Sequence, residues 1–235
     1  SLSIAAGRTV GVVGESGSGK STLAKVLVGT VRPENGHVSV DTVDVNSLSH
    51  SQRGAFAYRR RGQMIPQDPF SSLSPRRTIG QTLAEALDPV RPNARRHADR
   101  IAFWLERVGL SADMIGRYPH EFSGGQRQRV AIARSLIVEP SFVIADEITS
   151  ALDVSVQAQI LEMLAEIKDA TGVTMMFISH NLAVVQDVSD EIVVMYRGRV
   201  VEAGPVEQVY AHPCHWYTRE LLDADPGAPG FRLAI

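Results

Sequence analysis

The sequence has 235 residues and a mass of 25.6 kDa, 44% of them hydrophobic, which is enough to bury one substantial core and a smaller satellite. A formal net charge of −2 and a pI near 6.4 lack the basic excess by which nucleic-acid binders attract phosphate backbones, so no nucleic-acid partner is expected. The single cysteine, Cys214, excludes an internal disulfide and a zinc or iron–sulfur site built from several thiolates of this chain.

The chain begins at Ser1 and reaches a glycine-rich loop almost at once, which suggests a segment whose upstream strand region is missing. The nearly continuous apolar run Thr9–Val13 reads as a buried strand, and residues 23–28, apolar on most faces, as a buried helix after the loop. Pro33, Asn35 and Gly36 mark a turn, and the alternation of Val38 and Val40 predicts a half-exposed strand over 37–40 in a small antiparallel patch. Over 79–138 the period turns helical: Ile101, Trp104, Leu105 and Val108 share a face, which makes Trp104 a core residue, and Gly109 is a C-terminal stop. The apolar, partly β-branched runs 142–145 and 173–178 flank a helix pattern through Val156, Ile160, Leu161, Leu164 and Ile167, and such alternation implies a parallel sheet. The run 192–195 and the Arg197-Gly198 turn into Val200 and Val201 predict a hairpin-like edge, and residues 226–230 a frayed tail. No apolar run approaches the roughly 18 residues that a spanning helix needs, and no signal-peptide pattern opens the chain, so a soluble chain is expected.

Two motifs carry phosphate chemistry. Gly14-Glu15-Ser16-Gly17-Ser18-Gly19-Lys20-Ser21, followed by Thr22, fits the phosphate-loop pattern in its strand-to-helix context. Glycines let backbone N–H groups turn toward phosphates, the helix N-terminus adds its positive end, Lys20 reaches the β and γ phosphates, and Ser21 can ligate Mg²⁺. The buried strand from Phe142 delivers Asp146 and Glu147 at its end, where α/β sheets place ligands. Alone, two acids closing a strand are equally a solvated loop or a helix cap; beside a phosphate loop, Asp146 is expected to hold the metal, directly or through water, and Glu147 to polarise the attacking water.

Phe122-Ser123-Gly124-Gly125-Gln126-Arg127-Gln128-Arg129 resembles the signature sequence of the ABC ATPases. Physically it is a second anion site, with Ser123 capping the following helix and Gly124 and Gly125 exposing backbone N–H groups. Gln67 in Pro66-Gln67-Asp68-Pro69 resembles that family's Q-loop, Ser150-Ala151-Leu152-Asp153 its D-loop, and His180 its switch histidine, although a lone histidine after a strand would by itself read as structural. The resemblance implies that Gln67 contacts the metal and reports nucleotide state to a membrane partner, that Ser123, Gly124, Gly125 and Gln126 bind nucleotide, that Asp153 bridges to the opposing subunit, and that His180 contacts the γ-phosphate.

The implied fold is an α/β, RecA-like phosphate-loop core of mostly parallel sheet with an antiparallel β edge, over about 1–78 and 139–235, carrying an α-helical signature subdomain over about 79–138. The implied activity is hydrolysis of ATP with Mg²⁺, in a sandwich with a second ABC ATPase domain, peripheral to the cytoplasmic face of the membrane. Residues 67–76, Tyr118-Pro119-His120-Glu121, 150–159, His212-Pro213 and the stretch from Tyr217 to Leu222 narrow the resemblance to importers of oligopeptides, dipeptides and nickel. These work beneath two permease subunits fed by an extracytoplasmic binding protein. Peptides are the expected cargo, and nickel or another solute the alternative. A soluble ABC ATPase of DNA repair or translation would carry a coiled-coil insertion, zinc cysteines or a basic arm, and this sequence shows none.

The sequence also departs from the family pattern. Residues 1–13 hold no aromatic side chain to stack on adenine, so weak discrimination of ATP from GTP is expected. Ile148 stands where many relatives have proline, and Pro66 where many have an aromatic residue. Arg59-Arg60-Arg61 and Arg76-Arg77 read as solvated surface.

Overall fold

The computed structural model describes residues 2–47, 52–150 and 152–224; Ala151 and the predicted tail at 226–230 lie outside them. In chain order the elements are β1 (Thr9–Val13), α1 (Lys20–Leu27), β2 (Ser39–Val40), β3 (Val43–Asp44), α2 (Gln52–Arg61), β4 (Gly62–Ile65), α3 (Pro69–Ser72), α4 (Ile79–Leu87), α5 (Ala98–Arg107) and α6 (Gly124–Leu136). There follow β5 (Phe142–Asp146), α7 (Val154–Thr171), β6 (Thr174–Ile178), α8 (Leu182–Val188), β7 (Glu191–Tyr196), β8 (Arg199–Pro205), α9 (Val206–Ala211) and α10 (Trp216–Asp223).

Six strands form one sheet in the order β4-β5-β6-β1-β7-β8, with every neighbouring pair parallel except the antiparallel β7–β8 edge. The pleat explains its two cores. Successive side chains point to opposite faces, so Val143, Ala145, Met175, Phe177, Ile192 and Val194 join one apolar cluster while Ile144, Met176, Ile178, Val193 and Met195 join another. Burial on both faces is what turns these strands into continuous apolar runs rather than alternating ones. The first cluster takes in α4, α5 and α6 through Leu83, Ile101, Trp104 and Ile132; the second is covered by α1 through Ala24.

Several boundaries differ from the sequence expectation. The strand expected over 37–40 shrinks to Ser39–Val40, which pairs only with β3 in a separate two-stranded sheet. α1 starts at Lys20, ahead of the apolar stretch, because Gly19 at its N-cap makes the turn with φ +103°. β4 and α2 had no sequence counterpart: β4 has four residues with glutamine at its second position, too short and mixed to show a period.

Candidate active site

β1 ends against Gly14, whose φ of +146° brings the backbone so near the neighbouring strand that a Cβ there would lie 2.1 Å from the Met195 carbonyl oxygen. Gly17 (φ +82°) and Gly19 (φ +103°) continue the turn in the left-handed region open to glycine. The loop closes on itself: the Ser18 N–H donates to the Glu15 carbonyl at 3.1 Å, and Lys20 Nζ donates to the carbonyls of Gly14 at 2.6 Å and Glu15 at 2.8 Å. Lys20 is buried, and desolvation lowers its pKa against the opposing pull of Glu147, Asp146 and Glu15. Gly19 offers α1 no side-chain cap, which leaves first-turn N–H groups for an anion. Ser21 and Thr22 lie exposed on that turn.

Asp146 is the last residue of β5 and is buried; desolvation and then the neighbouring Glu147 raise its pKa, while a hydrogen bond with the Ser21 side chain and the charge of Lys20 oppose the rise. Glu147 takes the left-handed region at φ +48°, a conformation rare outside glycine, and its N–H donates to the Ile178 carbonyl at 2.9 Å. Its carboxylate faces two groups: Gln67 Nε2 donates to Oε2 at 2.9 Å, and His180 Nδ1 lies 3.8 Å from Oε1. Gly14, Glu15, Ser16, Lys20, Glu147 and His180 line one cleft of about 500 Å³, together with Val13 and Leu221.

The structure therefore brings the phosphate loop, Asp146, Glu147, Gln67 and His180 together. The remaining predicted residues stand elsewhere. Ser123 Oγ accepts the Gln126 N–H at 3.3 Å and Gln126 Oε1 accepts the Ser123 N–H at 3.0 Å, a reciprocal cap on α6. Gly125 lies tight on the first turn of α7, where a Cβ would sit 2.7 Å from Val156 Cγ1, and nothing lies within 4 Å of a Cβ at Gly124. Asp153 is the N-cap residue of α7, is exposed, and makes no side-chain cap bond. None of these five lines the cleft. Ile148 is core, buried in the larger apolar cluster. Sequence reasoning did not place Tyr217 at the site, although its hydroxyl accepts the Glu15 N–H at 2.8 Å.

The donor set fits a hard cation completed by phosphate oxygens. The Ser21 hydroxyl and the Asp146 carboxylate are hydrogen-bonded partners beside Lys20, and Mg²⁺ is characteristically held by one or two such oxygen ligands plus substrate phosphates. Among the described residues no cluster of three His, Cys, Asp or Glu side chains forms a protein-only cage.

Residues 1–150 match the family model described as ABC transporter. The chain belongs to the ABC transporter family. This ABC chain is 48% identical over 227 residues to a probable peptide ABC transporter ATP-binding protein of Sinorhizobium fredii, covering 96% of this chain and 64% of that one. It is 46% identical over 222 residues to the oligopeptide transport ATP-binding protein OppF of Escherichia coli, covering 94% and 66%. It thus spans about two thirds of the length of these curated relatives. Its fold matches that of cbiO1 from Clostridium perfringens, described as part of an ABC transporter complex, with a TM-score of 0.79 at 28% identity over 90% of this chain and 82% of that one. The ATP-binding cassette MJ0796, solved as a dimer in a post-hydrolysis state with ADP and Pi, matches with a TM-score of 0.76 at 27% identity over 87% and 88%.

Proposed function

We propose that this chain is the ATP-binding and ATP-hydrolysing part of an ABC importer that energises uptake of oligopeptides or dipeptides. The observation that carries the ATPase reading is the meeting of Lys20 and Glu147 in one phosphate-loop cleft, with Asp146 interacting with both and Gln67 and His180 on either side of the Glu147 carboxylate. Lys20 and the N–H groups of the loop bind the β and γ phosphates of ATP. Ser21 and Asp146 would hold Mg²⁺, with Gln67 as a further oxygen ligand, and the ion would supply positive charge against that building on the phosphate oxygens. Glu147 accepts a proton from the water that adds to the γ-phosphorus as the bond to the β-phosphate oxygen breaks, and His180 orients the γ-phosphate.

The α/β core, about 1–78 and 139–235, carries this half-site, and the helical signature subdomain, about 79–138, carries the other. Ser123, Gly124, Gly125, Gln126 and Asp153 lie outside the cleft, which supports their serving the nucleotide of an opposing ABC ATPase domain. Two such domains closing on ATP make a clamp that drives two transmembrane permease subunits, loaded by an extracytoplasmic binding protein. The relatives described as ATP-binding proteins of transporters support a peripheral place on the cytoplasmic face of the membrane; among the described residues no helix is long and apolar enough to cross a membrane. The peptide cargo is supported by the relatives described as peptide and oligopeptide ATP-binding proteins. Reconstitution of the full complex in vesicles tests it: ATP-dependent uptake of labelled peptides is expected, and uptake of nickel or a sugar without peptide would overturn the cargo and leave the ATPase standing.

A further inference from the structure

The segment that follows β8 takes no part in the chemistry above, yet it reaches the phosphate loop. Glu202 on β8 accepts the backbone N–H groups of Cys214 at 2.7 Å and His215 at 3.0 Å, and His215 Nδ1 accepts the Tyr217 N–H at 3.2 Å, which fixes where α10 begins. From the first turn of α10, Tyr217 is buried at 3% exposure with its ring 4.3 Å from that of Tyr196. Its hydroxyl oxygen accepts the Glu15 N–H at 2.8 Å, a contact across 202 residues of sequence. The carbonyl of the same Glu15 accepts from Lys20 Nζ at 2.8 Å and from the Ser18 N–H at 3.1 Å. Both backbone groups of Glu15 are thus engaged, one by α10 and the other by the lysine of the phosphate loop. One helical turn beyond Tyr217, Leu221 lines the same cleft. The β7–β8 turn adds a second tether, since the Gly198 N–H donates to the Ser18 carbonyl at 3.0 Å.

A loop of glycines gains its phosphate-binding geometry only if something external restrains it, because glycine has more backbone freedom to lose than any other residue. We infer that Tyr217 is a positioning residue for nucleotide binding: its hydroxyl holds the Glu15 peptide and, through it, Lys20, so that α10 sets the shape of the phosphate loop. This rests on the reading of the cleft as an ATP site.

The test is titration of the chain with a fluorescent ATP analogue and Mg²⁺, alongside KM and kcat for ATP and the melting temperature. Tyr217→Phe keeps the ring against Tyr196 and removes only the hydroxyl. It is expected to weaken analogue binding and raise KM by about 3- to 10-fold, the range of one hydrogen bond, with kcat and melting temperature close to those of the unchanged chain. Trp216→Ala is the control, since Trp216 is 55% exposed and its ring neighbours are Tyr196, His215 and Tyr217; its affinity is expected to stay within about twofold. Unchanged affinity and KM in Tyr217→Phe would overturn the inference, and so would a fall in kcat that follows the melting temperature at constant KM. Failure of the unchanged chain to bind the analogue would instead overturn the ATP reading, and the inference with it.

Discussion

Gln67 donates from Nε2 to Glu147 Oε2 at 2.9 Å, although the two residues stand 80 apart in sequence. β4 and β5 run parallel in register from Gly62 beside Phe142 to Ile65 beside Ala145, so the residues just past their C-terminal ends come out side by side. The carboxylate is thereby held between a neutral donor and the imidazole of His180, 3.8 Å away. Substituting Glu147→Gln retains the size and the capacity to hydrogen-bond but removes the base. ATP turnover is expected to fall at least ~100-fold with nucleotide affinity within a few-fold, measured as single-turnover hydrolysis beside equilibrium binding. Near-normal turnover would remove Glu147 from its assigned role.

Lys20→Ala acts on a different quantity. Its ammonium is the buried cation of the loop and is bonded to the carbonyls of Gly14 and Glu15. Charge-assisted hydrogen bonds are worth about 1.5–3 kcal/mol, so ATP affinity is expected to weaken by roughly 10- to 100-fold. Equilibrium titration checks this, and unchanged affinity would contradict it.

Two glycines of the same loop should respond unequally to alanine. At Gly14 the added Cβ meets the Met195 carbonyl oxygen at 2.1 Å; at Gly17, with φ +82°, nothing lies within 4 Å. Gly14→Ala is expected to destabilise the chain by about 3 kcal/mol or more, Gly17→Ala by about 1–2 kcal/mol from backbone strain alone. Urea unfolding of the two variants gives the comparison, and equal losses would refute it.

Asp190 supplies an acid-sensitive tie. Desolvation, the largest single influence, raises its pKa, but hydrogen bonds from the Thr9 N–H, Arg8 and Lys168 outweigh it together and bring the value down to about 2 from 3.8. A folded pKa below the unfolded one stabilises the chain above the unfolded value and is lost as pH falls through the folded one, here between about pH 4 and pH 2. Asp190→Asn should cost about 1–2 kcal/mol at pH 7, allowing for solvent screening, with the gap closing toward pH 2. Chemical denaturation across that range checks the slope, and a pH-independent difference would count against it.

The local chemistry was legible along the chain because each piece of it is a short-range affair. Thr9–Val13, the glycines to Ser21, the run into Asp146 and Glu147, and the Ser123 cap are all set by periods and caps spanning a few residues, and the structure has each element there. Even the core position of Trp104 follows from helical spacing. The sequence could not say which strands would be neighbours. Placing β6 between β5 and β1, and the short β4 outside β5, is decided by which apolar faces the helices can cover at once. That order brings Gln67 to Glu147, and the packing of α10 against the β7–β8 edge brings Tyr217 to Glu15. Contacts across 80 and 202 residues leave no period and no local spacing in the chain, so only the closing of the tertiary structure could decide them.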